Sequence, residues 1–349
     1  MEKARLRAEA WRDAAANGID PVKIQQTEAA QTFAKLSEDY LERYADKKRT
    51  KIQDERKLKR NLLKKLGKKK VSQITHRDIE DIHRAMKSSP YEANRNIALL
   101  SKMFSLAIKW GWIEKNPATG IERYAEEPRE RYLDHDEMVR LAASFDAYIN
   151  EVAKKWPQKN SHHFADAVSA VNAIRLIALT GARKGEALSA TWDQFKIEAG
   201  IWTKPSSHTK TKKTHRVTLS PPAIELVSGM QESDQDGAQF LFPSRRSPTG
   251  HLKDLKRAWG RIMDLAEIEN FRVHDLRHTF ASILASGGAS LIVIGRLLGH
   301  TQPSTTARYA HLFDDPLRDA AGKVGAAYEA AKKGKGAEVV RLHKSHHHD

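Results

Sequence analysis

Residues 273 to 282 read VHDLRHTFAS and set His274, Arg277 and His278 among apolar neighbours. Histidine changes charge near neutral pH, and arginine is a permanent planar fork of donors shaped for carboxylate or phosphate. Together they suit holding an anion and moving a proton. On a helix at about 100° per residue, Leu276, Phe280, Ile283 and Leu284 share one stripe and the three cationic residues the opposite face. The spacing therefore predicts cations presented to solvent, not buried.

Three further stretches carry related chemistry. TGARKGEAL sets Arg183 and Glu186 three apart on a helix directly after a Thr-Gly break, which by itself makes only a surface ion pair. HTKTKKTHRVTL places Lys210, Lys212 and Lys213 before a strand-like run. LLGHTQPSTTARYAH ends an apolar helix at Gly299, a residue suited to the left-handed position past a helix end, so His300 projects from a turn. Ser304 then caps a short helix carrying Tyr309, an aromatic that alone would be ordinary packing.

The elements that must position these groups fall into two blocks, as 349 residues allow. Residues 30–116 repeat apolar side chains at helical spacing: Phe33, Leu36, Tyr40 and Tyr44; Leu58, Leu62 and Leu66; Ile79, Ile82 and Met86; Ile97, Leu100, Met103, Phe104 and Ile108. Four helices are expected there. Residues 117–132, rich in proline, glycine and alternating charge, read as a linker. Beyond Leu133 a capped helix begins near Asp134 or Asp136, and a long helix precedes TGARKGEAL. The alternating run 200–220 reads as a β-hairpin or three-stranded sheet with a basic tip, and helices return from Pro221, Gly250 and Val273. The fold class is mainly α with a small antiparallel β-sheet.

Sixty Lys and Arg against 44 Asp and Glu give a net charge of +16. Such an excess points to a polyanion, nucleic acid first and an anionic membrane surface second. No run approaches the roughly 18 apolar residues of a membrane span, no secretory signal opens the chain, and a cytoplasmic location is expected. The absence of cysteine excludes disulfides, thiolate catalysis and sulfur-ligated zinc. Residues 47–70 hold thirteen basic side chains and two acidic ones around a leucine stripe. Such a block is either a solvated face or a helix laid on phosphates, and its self-repulsion favours the second. The expected DNA contacts are Lys47, Lys48, Arg49, Lys51, Arg56, Lys57, Lys59 and Arg60, joined by Lys212, Lys213 and His278. The final KSHHHD resembles a tag remnant.

The four boxes, in this order, resemble the tyrosine recombinases, or phage-type integrases, over about 30–315. The resemblance implies a helical core-binding domain at 30–116, a catalytic domain at 133–315, and a terminal helix and tail at 316–349. Residues 1–29 would be a connector helix after an arm-binding domain that is missing or absent. Residue by residue, Arg183 resembles the first catalytic arginine and Glu186 its acidic supporter. Lys210, seven residues before Val217, resembles the hairpin lysine, with Lys212 and Lys213 its nearest confusions. His274 and Arg277 match the His-x-x-Arg pair, His300 the last histidine, and Tyr309 the nucleophile nine residues later.

The implied chemistry is a phosphodiester transesterification. Two guanidiniums and the histidines would bind non-bridging oxygens that gain charge in the transition state. Tyr309 would attack, aided toward phenolate by the cationic pocket, and Lys210 would protonate the leaving 5′ oxygen. No cofactor or metal is expected: the sequence has no Walker loop and no carboxylate cluster spaced for paired magnesium ions. The family further implies that the two domains clamp duplex attachment DNA in a bacterial, nucleoid-associated setting. It also implies a homotetramer on two duplexes, with DNA-bending accessory proteins as further partners. A terminal helix from about 316 would dock on a neighbouring protomer or pack on its own chain. Two rivals remain at this level. One is a type IB topoisomerase. The other is a catalytically silent DNA-binding protein in which 278–298 forms a helix-turn-helix.

Overall fold

A computed structural model describes residues 31–333 except 49, 128–129, 158–161, 206–213, 234–236 and 245–246, together with isolated positions at 5, 8, 9, 12 and 16. The chain divides into two compact units, Met1–Pro128 and Arg129–Asp349.

In the first unit four helical segments enclose one core. Helix α1 (Phe33–Asp39) runs on through a π-helical turn, Tyr40–Tyr44. Helix α2 (Lys51–Lys57) continues through a second such turn, Leu58–Leu62, and a last α turn to Leu66. Helices α3 (His76–Arg84) and α4 (Pro90–Lys109) complete the set. Phe33, Leu36 and Tyr40 meet Leu58, Leu62, Leu66, Ile79, Ile82, Leu100 and Phe104 in the core, as their spacing requires. The stripes fail at their ends: Tyr44 and Ile108 are each 38% exposed, because helix termini outrun the neighbours that would cover them. Thr75 and Asp78 form a reciprocal capping box that starts α3.

The second unit is built on α6 (His162–Thr180), whose Ala167, Ala170, Ala173, Val171, Ile174 and Ile177 are all buried. Small alanines let its neighbours approach closely. These are α5 (His135–Lys155), α7 (Lys184–Leu188), α8 (Pro221–Glu232), α9 (Lys256–Ala266) and α10 (Asp275–Ser286). Asp134 is the cap of α5; its side chain accepts from the Glu137 N–H at 2.7 Å while Glu137 reaches back to the Asp134 N–H. Three antiparallel strands, β1 (Phe195–Lys196), β2 (Ile201–Lys204) and β3 (His215–Thr218), lie in that order. The hairpin expected in 200–220 supplies β2 and β3, and β1 joins from outside that stretch. In β2, Trp202 and Lys204 point inward together, as the two-residue period of a strand dictates.

A second cluster unites α10 with α11 (Leu291–Leu298) and the turn after α12 (Pro303–Ala307). Gly299 ends α11 at φ 68°, and a Cβ there would lie 2.7 Å from His215 Nδ1, so both backbone and space require glycine. Gln302, not Ser304, stands at the N-terminal boundary of α12 without a side-chain cap bond, and Tyr309 lies just beyond the helix instead of within it. The last helix, α13 (Asp314–Lys332), is exposed from Leu317 to Glu329, with Leu317 63%, Val324 71% and Tyr328 68% accessible. Self-packing of that segment is therefore not what the fold adopts. Among the described residues no helix is long and apolar enough to cross a membrane, and no group of three or more His, Cys, Asp or Glu stands at metal-holding distance.

Candidate active site

Arg277 is the hub of the second unit. It sits in the first turn of α10 and is 4% exposed. One terminal nitrogen donates to the Gly181 carbonyl at 2.7 Å, and the other donates to the Leu298 carbonyl at 2.7 Å. Those acceptors lie two residues before Arg183 and two before His300, so one guanidinium ties both boxes to its own helix. Gly181 makes the approach possible: its φ is 61°, and a Cβ would fall 2.7 Å from Phe280 and 2.8 Å from Leu298. Burial, with repulsion from Arg183 next, lowers the Arg277 pKa to about 10, which leaves it charged at neutral pH.

Of the expected solvent-facing row of cations, His274 is exposed, but His278 is half-buried and Arg277 is not presented at all. Leu276 is 2% exposed and lies beside Arg277 in the interior, while Ile283, assigned to the apolar stripe, is 52% exposed. Two carbonyl acceptors meet the cost of burying Arg277, and no hydrophobic periodicity records such partners.

Arg183 caps α7, and one of its terminal nitrogens donates to Glu186 Oε1 at 2.7 Å. The pair is not a surface bridge: the Glu186 side chain is 4% exposed. Its other oxygen accepts from the Lys204 ammonium at 2.9 Å, and the Lys204 side chain is 2% exposed. Burial opposes the charged Glu186, but Lys204 and Arg183 outweigh it and hold the carboxyl at about 2.

His300, in the turn after Gly299, shares a hydrogen bond of 2.8 Å between Nδ1 and Thr306 Oγ1. The Tyr309 N–H donates to the Thr306 carbonyl at 3.0 Å, so Thr306 couples the last histidine to the tyrosine turn. Tyr309 is 6% exposed, and its hydroxyl lies 2.8 Å from His278 Nδ1. His274 stands edge-on to His278 with ring centroids 5.5 Å apart. Burial first, then His274 and Arg308, pushes His278 down to about 4. Burial first, then Arg277 and Arg183, does the same to His300. His274 is lowered by burial and Arg277. All three rings are neutral at pH 7.

Burial also raises Tyr309 above the ordinary phenol value, against the pull of Arg277 and Arg308. The expected help toward phenolate is thus overridden by desolvation. His278, expected to contact DNA, is instead half-buried against the tyrosine.

The structure brings together Arg183, Glu186, His274, Arg277, His278, His300 and Tyr309. Lys210, Lys212, Lys213 and Arg49 lie outside the described residues. Of the basic block, Lys48 bonds Asp54 at 2.8 Å and Tyr40 at 2.9 Å, and Lys57 stands 3.8 Å from Asp54. Lys51 pairs with Asp46, Lys59 with Glu55 and, at 3.9 Å, Arg60 with Glu92. Lys47 and Arg56 are exposed. Sequence reasoning passed over Lys204 and His215. His215 is lowered by burial and shares a 2.7 Å hydrogen bond between Nε2 and the Arg296 carbonyl. The signal for Lys204 was strand alternation, since an inward Trp202 turns Lys204 inward two residues on.

A buried arginine, a partly exposed one held by a buried glutamate, and a tyrosine turn, on a mainly helical unit with a small antiparallel sheet, define a tyrosine recombinase. The chain belongs to the phage integrase family: residues 131–315 match that family, and residues 29–124 match its central domain. It is 25% identical over 309 residues to prophage integrase IntZ of Escherichia coli (strain K12), covering 82% of this chain and 70% of that one. It is 28% identical over 233 residues to the integrase of Escherichia phage P2, covering 66% of this chain and 58% of that one. The chain thus spans under two thirds of the phage P2 relative. Among solved structures, a lambda integrase dimer bound to a COC′ core site shares the fold with TM-score 0.61 and 18% identity, over 80% of this chain and 95% of that chain.

Proposed function

We propose that this chain is a site-specific DNA recombinase that cuts and rejoins duplex attachment sites through a 3′-phosphotyrosine intermediate. The observation that carries the reading is the buried Arg277 clasping the backbones beside Arg183 and His300, with Tyr309 on His278 of the same helix.

In the proposed reaction Arg183 and Arg277 hold the non-bridging oxygens of the scissile phosphate, where negative charge grows in the transition state. His300 and His274 add donors to the same oxygens. Tyr309 oxygen attacks phosphorus as neutral His278 takes its proton, which a buried phenol with a raised pKa needs. The bond from phosphorus to the 5′ oxygen breaks, and Lys210 protonates that leaving oxygen. An incoming 5′ hydroxyl then reverses these steps on a new strand, with no external energy source.

The lambda integrase structures include a dimer on a core site and a tetramer on a Holliday junction. By analogy this chain acts as a tetramer on two duplexes, and the apolar residues exposed on α13 are the surface offered to a neighbouring protomer. Lys47 and Arg56 are the proposed phosphate contacts of the first unit.

A nicked duplex carrying the genomic junction of the element, which loses a short fragment on cleavage and so traps the adduct, tests the reading. The wild-type protein accumulates a covalent protein–DNA species, and Tyr309→Phe binds without forming it. Equal behaviour of the two proteins would identify a DNA binder without chemistry.

A further inference from the structure

We infer that Lys204 is a positioning residue of this site: it occupies one oxygen of Glu186, so that Arg183 meets only the other and keeps donors directed at the phosphate. The inference rests on the recombinase reading above.

Lys204 is 1% exposed, the last residue of β2, with His215 opposite it on β3. Lysine is among the residues least often buried completely, and a buried charge needs partners. Those partners are Glu186 Oε2 at 2.9 Å and the face of Trp202, whose ring centroid is 4.5 Å from the ammonium. Burial works against the ammonium, as do Arg277 and Arg183, and lowers it to about 8, so the ion pair is intact at neutral pH.

Stability does not explain a lysine here. Well-packed apolar side chains often serve as well as a buried ion pair, and the neighbouring inward residue Trp202 is apolar. The division of labour at Glu186 does explain it. Oε1 accepts from the Arg183 guanidinium at 2.7 Å; Oε2 accepts from Lys204 and, at 3.3 Å, from the Arg183 backbone N–H.

Guanidinium and carboxylate groups favour two parallel hydrogen bonds when both oxygens are available. Without Lys204, Arg183 would close on both oxygens, turning a second donor away from the phosphate and neutralising its own charge. With Lys204 in place, the ammonium balances Glu186, and both guanidiniums keep their full charge for the substrate. Lys204 acts through Glu186 and Arg183 and touches no reacting atom.

The test is a double-mutant comparison on the full chain with the same nicked duplex, following single-turnover adduct formation, duplex Kd and Tm. Lys204→Met lowers the adduct rate about 10² to 10³-fold, the scale for losing one transition-state donor. Its Kd is unchanged, because the phosphate contacts elsewhere that dominate binding remain. In a Glu186→Gln background, which has no carboxylate for Arg183 to close on, Lys204→Met costs little further.

A wild-type rate for Lys204→Met overturns the inference, as does an equal loss in both backgrounds. If Lys204→Met lowers Tm substantially, Lys204→Gln makes the same comparison, since its amide can still donate to Glu186. A smaller loss that also vanishes beside Glu186→Gln supports the role, and one that persists overturns it. Failure of the wild type to form any adduct removes the recombinase reading and this inference with it.

Discussion

The hydroxyl of Tyr309 and Nδ1 of His278 stand 2.8 Å apart across thirty-one positions of sequence, with the tyrosine buried and the histidine half-buried. Burial keeps the phenol protonated and the imidazole uncharged, so the contact is a hydrogen bond between two neutral groups through which the phenol proton can leave, although at about 4 the imidazole is a weaker base than usual. Substituting His278→Ala is expected to slow adduct formation about 10² to 10⁴-fold, the range for one general base, without weakening duplex binding. Single-turnover cleavage beside a gel-shift titration measures both. A loss of binding equal to the loss of rate would return His278 to the role of a DNA contact.

Arg277→Lys keeps one charge but not the fork. A lysine cannot donate to the Gly181 and Leu298 carbonyls and face a phosphate at the same time. The expected outcome is a rate loss of about 10² to 10³-fold. Destabilisation of about 1–3 kcal/mol for a carbonyl left unsatisfied accompanies it, read from denaturant unfolding.

Acid should unfold the catalytic unit early. His278 and His300 release their protons at about 4 in the folded chain, against about 6.5 when unfolded. Between those values the unfolded chain binds more protons, so stability is present above pH 6.5 and falls as pH drops toward 4. Glu186, at about 2, adds stability that is present above its ordinary value of 4.5 and lost as pH falls through 2. Calorimetry at pH 7 and pH 5 should show a lower Tm at pH 5, and the difference should shrink in His278→Gln/His300→Gln.

Much of this architecture was legible in the sequence because it follows period and chemistry. The helices of the first unit follow from leucine and aromatic spacing, and Gly299 from the need for a left-handed helix end. What escaped depends on contacts between distant segments. Arg277 looked solvent-facing because its acceptors are the carbonyls of Gly181 and Leu298. Glu186 looked like half of a surface pair because Lys204 arrives from another element. The helical wheel of α10 put Ile283 inside, yet α11 and the turn Ala310–Phe313 pack against that helix and leave Ile283 exposed.

The same distinction divides the basic block. Lys47 and Arg56 are exposed, whereas Lys48 is tied to the buried Asp54 and to Tyr40. Replacing Lys47 and Arg56 by Ala should reduce the slope of log K against log salt by about 0.9 for each phosphate that is no longer neutralised. Lys48→Ala should instead lower the Tm of the first unit, since it leaves Asp54 short of a partner. Binding titrations between low and moderate salt, paired with thermal melts, separate the two classes.

The reading turns on the Tyr309 oxygen, held against His278 and under the pull of Arg277 and Arg308, becoming joined to phosphorus. Mass spectrometry of the trapped adduct after proteolysis and nuclease trimming tests it most directly. A single modified peptide is expected, carrying a nucleotide through its 3′ phosphate on Tyr309. A nucleotide on any other residue, or one attached through a 5′ phosphate, would contradict it.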